Sequence, residues 1–285
     1  MPHRLVSVAI LVIWAIAAGS LFTRDVLPNL LVGTPPDLRT IALADDTRPT
    51  RWTLMVASND PKADPRAVGK TVTRTEHQRD GWFHFSSEAW IDSGELLRGT
   101  PLESAQGEQI EVSGDYDIDP SGNLDHFRCW VRFQGSRRDL LSLSGKLTKT
   151  GLAVQSRGPL PWLNWTKEYP YKSRDMVQGT LSPMGRMPNL HVGQRWESRV
   201  VSPLTGQVQT GRVEVVGKAS ILWDNNPVTT LEVVTRVGPM SAKTWVRPRD
   251  GLVLRQEIPL PMIMLRLDRV PDDVAPTALN GRASR

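Results

Sequence analysis

His77, His84, His126 and His191, the one cysteine, Cys129, and the alternating acids Asp115, Asp117 and Asp119 are the residues in the body of the chain whose types suit catalysis or metal binding. A zinc site read from local sequence needs spacing such as H-E-x-x-H or C-x-x-C. The chain has neither. His126 and Cys129 stand three apart in a strand-like run, which sends them to opposite faces and argues against a Cys–His catalytic pair. Beside Trp130, Cys129 reads as a small core residue. A calcium loop needs more oxygen ligands than the three alternating acids offer, so they read as the solvated side of a strand. No nucleophile elbow, P-loop or dinucleotide fingerprint occurs. This reading assigns no catalytic, metal-binding or cofactor-binding residue and expects no enzyme. The alternative, an enzyme with an unfamiliar site, rests on folding that brings His84, His126 and the nearby acids together.

The scaffold for these residues is legible in outline. The chain has 285 residues, 39% of them hydrophobic and 23% charged, with a net charge of +5. That suffices for a sizeable core. The positive excess is small and its basic runs are short, such as Arg137-Arg138, so nucleic acid is not an expected partner. A single cysteine excludes an internal disulfide.

Residues 1–24 hold a basic start and an apolar run from Leu5 to Phe22, nearly long enough to span a bilayer. The run reads as an uncleaved anchor, or as a signal peptide with the small-residue pattern Ala15-Ile16-Ala17. Either reading exports the remainder, placing it in the periplasm, anchored to the inner membrane unless the signal is cleaved. Residues 25–50, with Pro28, Pro35, Pro36 and Pro49, read as an extended tether.

Strand signals dominate afterwards. "GKTVTRTEHQ" and "WFHFSSEAWI" flank Arg79-Asp80-Gly81, a hairpin turn between β-rich runs. Further hairpins are expected about Asp119–Gly122, Lys149–Gly151, Pro203–Gly206, Asp224–Asn226 and Asp250-Gly251. Residues 51–157 form a first β half and 191–270 a second. Each opens on Arg-Trp (Arg51-Trp52, Arg195-Trp196), consistent with a duplication or with the sameness of β meanders. Residues 158–190, rich in proline, cannot form a central strand. They read as a connection packed across a sheet, anchored by Trp162 and Trp165, with a short helix near Tyr171–Gln178. Residues 271–285 read as a disordered tail. The expected fold is all-β: an extended, curved antiparallel sheet, half-barrel-like.

Alternation along the final strands sets a question. Leu252, Leu254, Gln256 and Ile258 fall on one face, with Val253, Arg255 and Glu257 on the other, wet face. Next, Ile263, Leu265 and Leu267 share a face, opposite Met262, Met264 and Arg266. Burying two methionines is worth about 3–6 kcal/mol, so Met262 and Met264 need a cover. The connection or the tether supplies it, or they line an apolar groove with Trp82, Trp162 and Trp165 for a lipid or partner segment, since methionine suits adaptable surfaces.

"MGRMPNLHVGQRWESRVVSPLTG", with the later "KTWVRPRDGLVLRQEIP", resembles a group of uncharacterised bacterial envelope proteins in which one N-terminal membrane segment precedes a β-rich domain. Some of them carry a transglutaminase-like domain; no catalytic Cys-His-Asp set carries over to this chain. The hairpin pattern is also similar to the half-barrels of periplasmic lipoprotein carriers. That similarity implies a curved sheet with an apolar inner face. Those carriers hold helices inside the sheet, whereas no sustained helical period follows the N-terminal run here. The expected function is a membrane-tethered, extracytoplasmic, non-catalytic binding or scaffold module of the cell envelope, with a lipid or an envelope protein as partner. A carrier of lipid or another apolar ligand on the concave face is the alternative.

Overall fold

The alternating runs become strands in the computed structural model, which describes residues 38–44, 48–57, 65–98, 109–170, 184–201, 208–259 and 263–272. In the first half, β1 (Thr50–Ala57), β2 (Arg66–His77), β3 (Phe83–Asp92) and β4 (Gln109–Ile118) are followed by β5 (Leu124–Phe133), β6 (Asp139–Leu147), β7 (Leu152–Arg157) and β8 (Trp165–Tyr169). The second half holds β9 (Arg195–Val201), β10 (Val208–Trp223), β11 (Asn226–Val237), β12 (Met240–Val246), β13 (Val253–Pro259) and β14 (Met264–Arg269). Two short helices, α1 (Leu38–Ala44) and α2 (Ser93–Leu97), complete the described elements.

All 14 strands join one antiparallel sheet in the order β8-β7-β6-β5-β4-β3-β2-β1-β14-β13-β12-β11-β10-β9. It is not closed: β8 and β9 are its edges. The two halves are meanders of eight and six strands, joined where β1 lies against β14, with Leu54 opposite Leu267. The turns use the expected chemistry. Asp80 and Gly81 both have positive φ, as do Asp224 and Asn225 at the tip of the β10–β11 hairpin, a backbone that matches strand twist.

Directly paired residues share a face, so the register sorts the side chains. One face carries Trp52, Leu54, Leu265, Leu267, Val246, Leu231, Val233, Val213, Val215 and Trp196, all buried in a single cluster. Trp196 sits on edge strand β9 yet belongs to the same cluster as Trp52 and Ile91, so the sheet is strongly curled about this concave face. A second cluster on the same face joins Phe83, Ile118, Leu124, Phe127, Leu143, Leu152 and Val154. Each fully buried aliphatic side chain contributes about 1.5–3 kcal/mol relative to exposure.

Three expectations need correction. Within the segment read as an extended tether, residues Leu38–Ala44 are helical and Ile41 and Ala42 are buried, Ala42 in the second cluster. Seven residues are too few to display a helical period, and it is packing that stabilises so short a helix. The last hairpin does not alternate as read. A bulge at Trp245/Val246 pairs Val246 with Val253 and Trp245 with Arg255. Val253 therefore faces inward with Gln256, and Leu252 and Leu254 join an outer cluster with Ile221 and Trp245. The extra residue of a bulge inverts the alternation on one side of it. The connection read over residues 158–190, with Trp162 and Trp165 as anchors, contains β8, an edge strand; Trp162 is exposed, and Leu163 and Met187 are the buried side chains there, Met187 in the first cluster.

The last strand is thus covered inside by the concave core, and outside at its Arg269 end. Inside, Arg186 bridges to Leu252, Met187 N–H donates to Gly251 O (2.7 Å), and the buried Arg269 donates from Nη1 to Gly185 O (3.1 Å). Gly251 has φ +68°, and a Cβ there would stand 2.6 Å from Pro188 Cα, so this crossing requires glycine. Outside, the β10–β11 hairpin folds over β12–β14. Trp223 Nε1 donates to Arg269 O (2.9 Å) and Arg255 Nη2 donates to Leu222 O (3.1 Å).

Candidate functional site

The five residues read as a groove do not converge. Leu265 and Leu267 take the concave face, which leaves Met264 half-buried on the outer face near the Arg255–Asp268–Arg266 ion pairs (2.7 and 2.6 Å). Met262 lies outside the described residues. Trp82 is half-buried just before β3, where Phe83 is the residue turned into the core. Trp162 is 59% exposed, because the 3₁₀ turn Pro161–Leu163 buries Leu163 in its place. Trp165 is half-buried. It packs against the second cluster from β8, with Lys167 Nζ 5.6 Å from its ring centroid.

The concave face itself is unevenly filled. Val131, Phe133 and Leu141 point inward by register, opposite Val112, Ile110 and Val131. They stay half-buried and belong to neither cluster. Beside them on β7 and β8, Ser156 and Trp165 are direct cross-strand partners. Ser156 is 1% exposed, and Ser156 Oγ and Trp165 Nε1 are both buried without a hydrogen-bond partner. An unmade bond at a buried polar group costs about 1–3 kcal/mol. The patch therefore pairs an apolar wall with two adjacent donors. It suits a ligand with an apolar body and one accepting oxygen. The alternation in "LLSLSG" could have placed Leu141 and Leu143 on one face, a signal the sequence reading did not use. No local signal marked which inward positions would lack cover.

Cys129 also faces the concave side, 3.4 Å from the Tyr116 hydroxyl. Burial pushes its thiol upward, only partly offset by the Tyr116 hydrogen bond. That makes it a poor nucleophile, in keeping with its reading as a core residue.

On the outer face the register sets His84 opposite Asp117, and Asp117 opposite His126. The half-buried Asp117 carboxylate hydrogen-bonds His84 Nδ1 through Oδ1 (3.0 Å) and lies 2.8 Å from His126 Nε2 through Oδ2. Asp125 takes His126 Nδ1 (3.0 Å), and Asp115 stands 3.6 Å from His84 Nε2. The acids read as one solvated cluster therefore separate. Asp117 is a shared acceptor for two imidazoles, whereas Asp119 organises its turn, accepting from the amides of Ser121 and Asn123 (2.8 Å each). Both nitrogens of His126 are engaged by carboxylates, and no hydroxyl or thiol bonds either imidazole among the described residues. His77 contacts Ala42 O (3.1 Å) and meets the Phe83 ring edge-on, a packing role, and His191 is exposed. Among the described residues no group of three or more His, Cys, Asp or Glu side chains is spaced to hold a metal ion. No described helix is long and apolar enough to cross a membrane, and the N-terminal apolar run lies outside the described residues.

No family model matches the chain, and no curated protein matches it. Among solved structures it is distantly similar to a β-barrel-like protein of the domain of unknown function DUF1849 from Brucella abortus. That match has 10% identity and a TM-score of 0.49, covering 78% of this chain and 94% of that one. Aeromonas veronii immune modulator A matches at 11% identity and a TM-score of 0.19, covering 81% of this chain and 76% of that one.

Proposed function

We propose that this protein is a non-catalytic binding module of the bacterial cell envelope, exported and held at the inner membrane by the apolar run Leu5–Phe22. The observation that supports binding is the unfinished patch of the concave face: half-buried Val131, Phe133 and Leu141 beside two orphaned donors, Ser156 Oγ and Trp165 Nε1. A self-sufficient core would cover the first and pair the second. The His84–Asp117–His126 row does bring together the groups on which an unfamiliar enzyme site would rest; the non-catalytic reading is supported by its having, among the described residues, no hydroxyl or thiol bonded to either imidazole. The same patch favours an apolar ligand with an acceptor oxygen, such as a fatty acyl ester, over a flat protein partner. Full-length protein purified under mild conditions, and examined by native mass spectrometry followed by solvent extraction, is expected to carry such a molecule. Trp165→Phe with Ser156→Ala should lower its occupancy. A ligand-free protein that gains no stability from added lipids would overturn the ligand reading. Turnover of any substrate abolished by His84→Ala or His126→Ala would overturn the non-catalytic one.

A further inference from the structure

The β7–β8 connection is a rigid turn that holds apolar side chains in water. Leu160 is 47% and Trp162 59% exposed. Pro159 and Pro161 restrict φ. The Asn164 side chain clamps the loop across its base, accepting from Gly158 N–H (3.1 Å) and donating to Gly158 O and Leu160 O (3.0 Å each). Leu163 N–H donates to Leu160 O (2.9 Å), and Leu163 is buried beneath the turn. A Cβ on Gly158 would stand 2.7 Å from Leu163 Cδ1. Trp162 is therefore displayed by design of the turn, and its exposure does not come from a loose loop.

The neighbouring hairpin supplies charge. β5–β6 and β7–β8 close at the same end of the sheet, and their turns lie about 10 Å apart, two strand spacings. The β5–β6 turn is braced by Ser136, whose Oγ donates to Arg138 O and accepts from Arg138 N–H (3.1 Å each). It presents Arg137 and Arg138, and Arg157 ends β7 beside it; all three are exposed. None forms an ion pair among the described residues. Among the described acids at this end, Glu111 is paired with Arg132 (2.6 Å), Glu95 with Arg66 (3.0 Å), and Asp92 caps α2, which leaves the half-buried Asp139 against three arginines.

We propose that the Leu160–Trp162 turn, with Arg137, Arg138 and Arg157, is a docking surface for an anionic phospholipid bilayer. Trp162 and Leu160 enter the interface, where tryptophan is favoured, and the arginines meet lipid phosphates. A bilayer fits better than a protein. The apolar part is one convex turn, far smaller than the roughly 800 Å² per partner that a stable protein interface needs. A lipid interface accepts such a small insert when basic residues flank it. The half-covered patch at Val131, Phe133 and Leu141 lies at the same end of the sheet, so docking would bring it towards the bilayer. The inference needs neither a cargo nor the N-terminal apolar run.

The test uses the full chain in vesicles of phosphatidylcholine alone or mixed with phosphatidylglycerol. An environment-sensitive fluorophore is placed at Leu160→Cys in a Cys129→Ala background. Leu222→Cys, an exposed leucine at the opposite end of the sheet, is the control. The expected result is blue-shifted emission at position 160, quenched by nitroxide lipids, on phosphatidylglycerol vesicles only. Position 222 should stay aqueous. Neutralising the three arginines to glutamine should weaken the docking equilibrium roughly fivefold per residue. Each variant is checked by near-ultraviolet circular dichroism, and added salt replaces the triple variant if it misfolds. The proposal fails if the probe remains aqueous on both lipids, or is equally immersed on both. It also fails if immersion occurs only on native envelope membranes and is lost after protease treatment, which would assign the turn to a protein partner.

Discussion

The walls formed by β9–β14 and by β4–β8 belong to one sheet, yet they are finished differently. In the first, β12–β14 lie between the concave core and the folded-over β10–β11 hairpin, so that Val253 and Leu254, adjacent in sequence, are both fully buried. In the second, inward residues Val131, Phe133 and Leu141 stay half-covered, donors stay unpaired, and the Leu160–Trp162 turn projects. Burial on both faces stabilises; incomplete burial leaves surface for something else. The contrast places the more complete burial in one wall, and the proposed binding falls to the other.

Truncation separates them most strongly. Leu267→Ala should destabilise by about 2–5 kcal/mol and Leu141→Ala by about 1 kcal/mol or less, measured by urea unfolding. Equal losses would erase the distinction. Gly251→Ala, at a positive φ and against Pro188, should cost about 1–3 kcal/mol and leave Trp162 solvent exposure unchanged. Next comes acid. The hydrogen bond from Arg195 holds Glu214 below the ordinary value of 4.5, against desolvation and with help from Arg236. Its folded value is depressed, so its stabilisation is complete above that ordinary value and fades as pH falls below it. Glu214→Gln should flatten this part of the pH–stability curve without altering lipid occupancy. Smaller still, Cys129 should react with a thiol reagent in the native protein slowly but faster than global unfolding allows, reporting local opening of the β4–β8 wall. Least of all, Ser156→Ala should leave stability unchanged or slightly raised, because its hydroxyl has no bond to lose.

The strands, most turns and the curved sheet were readable because they rest on local signals: period-two alternation and residues suited to positive φ. What escaped was non-local. The bulge at Trp245/Val246 inverts the inside and outside of residues 252–254 through one extra residue, with no change in hydropathy to announce it. The His84–Asp117–His126 row depends on the register of three strands, and a slip of one residue would scatter it. Met187 and Ala42 are buried by elements too short to carry a pattern. Trp162 looked like an anchor because its size suggests burial; the 3₁₀ turn gives that role to Leu163.

The β1–β14 seam has a consequence for how the molecule is reached from a linear chain. Reading strands across the sheet from one edge gives β9 to β14 and then β1 to β8. The architecture is a simple up-and-down meander whose order has been cut in the middle and re-spliced. Among the described strands every pairing but one is between neighbours in sequence, and that one must wait until residues near 269 exist. Until then β1 is a bare edge, open to the wrong partner. Closing this one long-range pairing carries a loop entropy that the hairpins do not. A circular permutant opened between β8 and β9 and linked between β14 and β1 would turn that pairing into a local hairpin. The same sheet would then be reachable by growth from a single nucleus.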